Sequence, residues 1–280
     1  MEQDNKKSMA FSSLSNSQDL CAYLDSNSRL KDTEYLYQYT TISSLINMLR
    51  SKTLHLSNAK YMNDQLEYQN GDAAVWHRLL YSCFMMEEDE SIGMWGMYAQ
   101  PWKDGVKIAF PKAAFREWVD KIDEIIEISQ TTKQPTGKKI DLDNNFHLWI
   151  SAVAYSNCDS LNLKKGAEIL KFGGQENDLI HNASHRPELT GYIKDMAWSY
   201  EKEVRLKLQF WGNQVFERAA IRMPEDIIDS LIITPSPLFE GEIYSRIKQE
   251  INRQMNIGTS KFINKLNIRT PCDNCSRPNK

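Results

Sequence analysis

The sequence predicts an α+β fold, a mixed and mainly antiparallel sheet core with flanking helices, and three observations carry that prediction. Short runs alternate apolar and polar residues with the period of a strand, most clearly Val204, Leu206, Leu208 and Phe210 against Glu203, Arg205, Lys207 and Gln209. Other runs repeat apolar residues at the spacing of a helix face, as in Ile42, Leu45, Ile46 and Leu49. The two kinds, about six strands and about four or five helices by pattern, follow one another without the regular alternation of a doubly wound sheet.

Residues 1–30 are rich in Ser, Asn, Asp and Lys, and the stretch reads as a polar arm outside the core. Residues 31–270 are expected to form a single α+β domain, followed by a tail at 271–280. The domain opens with a strand at Tyr35 to Tyr39, a helix for which Thr41 is the N-cap, and a second strand, "TLHLS", that ends in a polar loop around "YMNDQLE". His55 falls on the outward face of that second strand. An aromatic, loop-like segment, "SIGMWGMYAQPWKDG", leads into a strand at Val106 to Phe110.

Pro111 suits a first helical turn, and Phe115, Trp118, Ile122 and Ile125 make "PKAAFREWVDKIDEIIEI" an amphipathic helix. A polar stretch, "SQTTKQPTGKKIDLDNN", separates it from the strand "WISAVAY". Residues 156–196, with the Gly173-Gly174 pair, read as partly helical with a loop over a site. The strand "EVRLKLQF", the strand "DSLIITP" and a helix with Ile243, Ile247 and Ile251 on one stripe complete the domain.

The chain has 280 residues, 41% of them hydrophobic and 25% charged, which is ordinary for a soluble globular protein. Its net charge of −3 supplies no global basic field for nucleic acid. No run of about 18 apolar residues occurs and the start has no signal-like apolar core, so a cytoplasmic protein is expected. Five cysteines, an odd and scattered number, point to reduced thiols. Cys272 and Cys275 have the spacing of half a zinc site, and His181 and His185 would share one helical face, but neither pair has further ligands nearby, so no metal is assigned. Dinucleotide-binding, P-loop, zinc-protease and serine-hydrolase motifs are all absent.

The chemistry-bearing stretch is "AWSYEKEVRLKLQF". If its extended backbone reaches back to Glu201, then Glu201 and Glu203 share the polar face with Cα atoms roughly 6.6 Å apart. Two carboxylates at that separation can serve one site. The same residues also describe a solvated strand face on which Glu203 and Arg205 offset each other.

Three blocks, "LYQYTTISSLINMLRSKTLHLSNAKYMNDQLE", "MWGMYAQPWKDGVKIAF" and "WSYEKEVRLKL", stand in the order and spacing of the bacterial domain of unknown function 2971 family, which the chain resembles over roughly residues 35–270. The first block also resembles, more distantly, the opening of DNA-targeting ADP-ribosyltransferase toxins. The last is similar to their final motif, in which a glutamate opens a strand, and its E-x-E spacing is similar to that of arginine-modifying transferases. Gln38 stands where those toxins often carry His.

That second resemblance implies an ADP-ribosyltransferase-like fold and an enzyme that uses NAD as substrate, a toxin or effector in bacterial anti-phage defence. It implies that Glu203 holds the ribose 2′-hydroxyl and counters the positive charge of an oxocarbenium-like state. Glu201 would orient or deprotonate the acceptor, expected to be nucleic acid or protein, and a regulatory partner chain is compatible with such a role. Gln38, Tyr39, Thr40, Ser57, Tyr61, Asn63, Asp64 and Tyr98 would line the NAD pocket. Two alternatives remain open at this level. Asp64 or Glu67 could join Glu201 and Glu203 around Mg²⁺ in a nuclease, or the pocket could serve a non-catalytic nucleotide-sensing adaptor.

Overall fold

The structure, a computed structural model, describes residues 33–64, 77–129, 131–140, 146–156, 170–172, 175–177, 191–210 and 216–266. The expected N-terminal arm and C-terminal tail, Glu67, the Gly173-Gly174 pair, His181, His185, Cys272 and Cys275 lie outside the described residues. The strands are β1 (Tyr35–Thr41), β2 (Thr53–Asn58), β3 (Leu79–Met85), β4 (Gly105–Pro111), β5 (Ile126–Ile128), β6 (Pro135–Lys139), β7 (Phe146–Ala152), β8 (Ala154–Ser156), β9 (Leu170–Phe172), β10 (Gln175–Asn177), β11 (Ile193–Asp195), β12 (Glu203–Phe210), β13 (Arg218–Arg222), β14 (Ile232–Pro235) and β15 (Asn256–Ile257). The α-helices are α1 (Ile42–Ser51), α2 (Ile92–Tyr98), α3 (Lys112–Val119), α4 (Glu225–Ser230) and α5 (Ile243–Ile251).

The class is mixed α+β, as the pattern predicts, and among the described residues eleven strands form one sheet in which only β14 and β15 pair in parallel. The sheet branches at β3. One edge of β3 pairs with β12 from Leu79 to Met85, and β12 pairs in turn with β7. The other edge meets β1 at one point, Tyr37 with Met85, and β2 at two, Ser57 with Tyr81 and Asn58 with Leu80. β1 and β2 therefore attach to opposite ends of the same edge and diverge between them. The split that results opens over Ser82 to Phe84, and the candidate site lies there.

Period-two alternation decides what each face of β1 buries. Leu36 joins the main core, where Ile42, Leu45, Met48 and Leu49 of α1 pack and where Phe84, Phe110, Phe115 and Trp118 meet edge to face. Tyr37 and Tyr39 point to the opposite face, into a second cluster with Met94 and Trp95 of α2. Thr41 caps α1 as expected, its hydroxyl accepting the Ser44 N–H at 3.3 Å.

Several expectations are corrected. The helix predicted through residue 128 ends at Val119, because Ile126 and Ile128 are used with strand period: they pair into β13 and β6 and pack on Ala220. The polar stretch after it contains β6, whose exposed residues place it at the end of the sheet order. The segment read as an aromatic loop is helical at Ile92–Tyr98, with Ser91 Oγ accepting the Met94 N–H. β3 is buried along nearly its whole length and so shows no alternation to read. Among the described residues no helix is long and apolar enough to cross a membrane.

Candidate functional site

β12 is the central positioning element, and it departs from expectation in two ways. Its polar face is not solvated: Glu203, Arg205, Lys207 and Gln209 are all buried, Arg205 and Lys207 to 0% exposure. Nor does the strand reach back to Glu201. Residues Met196–Glu201 form a 3-10 turn, and Lys202 takes the left-handed conformation with φ 43° before β12 begins at Glu203. The turn nevertheless brings both carboxylates to one cation, Lys194 of β11, whose Nζ lies 2.5 Å from Glu201 Oε2 and 3.2 Å from Glu203 Oε2.

Every acceptor in this cluster has a donor. Arg205 gives Nε to Glu203 Oε1 at 2.7 Å and Nη2 to Oε2 at 3.0 Å, while its Nη1 donates to the Gly191 carbonyl at 2.6 Å. Tyr98 donates its hydroxyl to Glu201 Oε1, and the Cys83 thiol bonds to Glu203. Burial alone pushes the Glu203 carboxyl up, but the Arg205 and Lys194 charges outweigh it and hold it at about 2. Burial likewise works against the charged form of Lys194, and Glu203 overturns that effect, so its ammonium is held above the ordinary value. Burial raises the Cys83 thiol well above its usual range, so it remains a neutral donor. Two carboxylates and two cations make a buried quartet without net charge.

Gly191 is required where it stands. It has φ +80°, and a Cβ there would lie 1.8 Å from the Tyr81 hydroxyl oxygen. Beyond it, Lys207 lies between the rings of Trp149 and Tyr192, at 4.7 and 4.6 Å from their centroids.

The split between β1 and β2 holds a cavity of about 350 Å³. Of the residues singled out in the sequence, Gln38, Tyr39, Ser57, Tyr61, Asn63, Tyr98, Glu201 and Glu203 line it. Thr40 instead lines a neighbouring cavity of about 330 Å³, and Asp64 is buried and lines neither. Gln38 has a structural duty that its position next to the split explains. Its Nε2 donates to the Cys83 carbonyl at 3.2 Å, joining β1 to β3 where the backbone ladder has stopped. Tyr39 accepts the Ser91 N–H on its hydroxyl at 3.3 Å and stands edge-on to the core residue Trp95, with ring centroids 4.7 Å apart. Tyr61 is 46% exposed at the mouth, and Tyr98 receives a bond from Asn63 as well as giving one to Glu201.

Sequence reading missed Lys194, Cys83 and Tyr155, whose hydroxyl accepts the Glu203 N–H at 2.8 Å. Lys194 lies in the stretch with no readable period, and only its neighbour Ile193 hints at a strand. His55, expected to face outward, lines both cavities; burial, with Arg218 alongside, lowers its pKa and favours the neutral ring. Among the described residues no group of three His, Cys, Asp or Glu side chains could hold a metal ion.

The model of a family described as protein of unknown function (DUF2971) matches residues 94–206 and supports kinship with that family. The matched stretch contains Tyr98, Lys194, Glu201, Glu203 and Arg205, so the whole ion cluster falls inside it. No curated protein and no solved structure matches the chain.

Proposed function

We propose that the split in the sheet takes NAD and that the chain is an ADP-ribosyltransferase-like enzyme, with Glu203 beside the nicotinamide ribose. One observation carries the reading: a carboxylate held ionised down to about pH 2 faces a cavity of about 350 Å³ whose other walls include tyrosines, the amides of Gln38 and Asn63, serine hydroxyls and the apolar side chains of Met62, Phe84, Met85 and Met94. Breaking the bond between ribose C1′ and the nicotinamide nitrogen sends the bonding pair to that nitrogen, releases neutral nicotinamide and leaves positive charge on the ribose. A fixed anion at that point lowers the barrier, and removal of comparable pre-set groups costs about 2.7–4 kcal/mol.

Glu203 already has donors around both oxygens, so a ribose hydroxyl must replace one of them. The Cys83 thiol is the weakest donor in the set and lines the cavity, which makes it the one displaced. On this reading Glu201, across Lys194, takes the proton of an acceptor as its lone pair closes on C1′. The fold and the acceptor class belong to this same reading: an ADP-ribosyltransferase-like sheet, with protein or nucleic acid as acceptor.

A second reading draws on the completeness of the ion cluster. A quartet with every oxygen occupied is also a rigid wall, and the cleft would then sense a nucleotide without turning it over.

The test is nicotinamide release from NAD by the purified chain, with DNA, RNA or protein extract as acceptor, with and without chelator. Release that survives chelator and is lost in a folded Glu203→Gln protein supports the transferase. NAD-dependent thermal stabilisation without release supports the sensor. Neither release nor stabilisation under any condition overturns both.

A further inference from the structure

We propose that the second cavity is a diphosphate subsite, so that the ligand of this cleft is a nucleoside diphosphate derivative spanning both cavities. This deepens the nucleotide reading above and rests on it for the other end of the ligand. The two cavities share Gln38, Tyr39, His55 and Ser57 in their linings, so they adjoin one another rather than standing as separate sites.

Their electrostatics differ. The first chamber ends in the balanced quartet of two carboxylates and two cations. The second is lined by Arg218 and Lys133 and by no acidic side chain. Neither cation forms an ion pair among the described residues; the guanidinium of Arg218 lies 5.5 Å from the ring centroid of Tyr61. Glu217, whose carboxylate feels the Lys133 charge at longer range, holds Lys60 at 2.5 Å and the Tyr61 hydroxyl at 2.7 Å.

A further polar group waits in the shared lining. His55 Nε2 is buried and has no hydrogen-bond partner, a state that costs free energy unless a ligand atom meets it. Ser44 and Asn47 of α1 add a hydroxyl and an amide. The Ser44 N–H is already taken by the Thr41 cap, so the seat is built from side chains and not from the helix terminus. Two cations, one of them a planar fork, with neutral donors around them are what two linked phosphates need. Tyr61, which stacks under Arg218 and lines the first chamber, ties the two chambers together.

Calorimetric titration of the full chain with inorganic pyrophosphate, ADP and nicotinamide riboside tests this, on wild type, Arg218→Gln and Lys133→Gln. The proposal expects pyrophosphate and ADP to bind and each variant to weaken both by about 10-fold or more, the scale of one charge-assisted contact. Nicotinamide riboside affinity should be unchanged. Absence of binding by pyrophosphate and ADP, or equal affinity in all three proteins, overturns it. Failure of the transferase reading looks different: phosphate ligands bind through Arg218 while no nicotinamide is released. The converse, NAD turnover untouched in both variants, removes the subsite and leaves the transferase.

Discussion

Arg205 folds its guanidinium back onto Glu203, two residues earlier on the same strand, with Nε 2.7 Å from Oε1 and Nη2 3.0 Å from Oε2. Side chains at i and i+2 share a strand face, so the pairing needs no long-range docking. What makes it consequential is that both partners are buried.

Removing one charge leaves the other uncompensated. Glu203→Gln is expected to lose about 3–5 kcal/mol in urea unfolding, as when a buried pair is broken from one side. Adding Arg205→Met should recover part of that loss, so the double variant is more stable than the sum of the single effects implies. Strict additivity would mean that the pair is not coupled.

The same carboxylate sets an acid limit. Glu203 is held at about 2 in the folded chain against 4.5 for the free group, so in that interval the unfolded chain binds the proton and the native chain does not. The stabilisation is fully present above about pH 4.5 and is lost as pH falls towards 2. It amounts to on the order of 3 kcal/mol. Unfolding free energies measured between pH 6 and 2 should fall more steeply for wild type than for a folded Glu203→Gln chain; parallel profiles would contradict the assignment.

Lys107 predicts an opposite, alkaline trend. It is 5% exposed on β4, donates to the Glu88 carbonyl at 2.6 Å and lies 4.1 Å from the centroid of Tyr37. Burial lowers its pKa from 10.5 to about 8, against the raising pull of Glu90 and Glu88. Between about 8 and 10 the unfolded chain keeps a proton that the native chain has released, so stability should rise with pH there. Above 10 the trend reverses, because burial, with Glu88 nearby, raises Tyr37 to about 12. Lys107→Met should be more stable at pH 7 and lack the rise, worth on the order of 3 kcal/mol at most. Denaturant midpoints at pH 7, 8.5 and 9.5 decide it.

Gly191→Ala should destabilise by more than about 2 kcal/mol, combining a left-handed backbone with a Cβ driven against the Tyr81 ring. Tyr81→Ala in the same chain should relieve the clash and leave only the backbone strain. A neutral Gly191→Ala would mean that this segment does not pack as described.

Legibility in the sequence followed burial. α1 and α5 were readable because each has one wet face, and Thr41 announced its helix by chemistry alone. β3 was invisible because both its faces are buried, and α3 was overextended because Ile122 and Ile125 continue its spacing by coincidence. The same cause hid the nature of β12. Its charged alternation looks like a solvated face, and only the burying layer that carries Tyr192 and Lys194, with no pattern of its own, turns that face into an ion cluster. Residues distant in sequence, Gln38, Ser57, Tyr98 and Glu203, converge because β3 gives one edge to two diverging strands. No local pattern encodes such a branch.

The most direct measurement is a structure of the chain bound to carba-NAD, whose glycosidic bond cannot break. The 2′-hydroxyl of the nicotinamide ribose should lie within hydrogen-bond distance of Glu203, in the place of the Cys83 thiol, with the pyrophosphate against Arg218. A dinucleotide bound away from the split between β1 and β2, or lying in it with the nicotinamide ribose remote from Glu203, would contradict this placement.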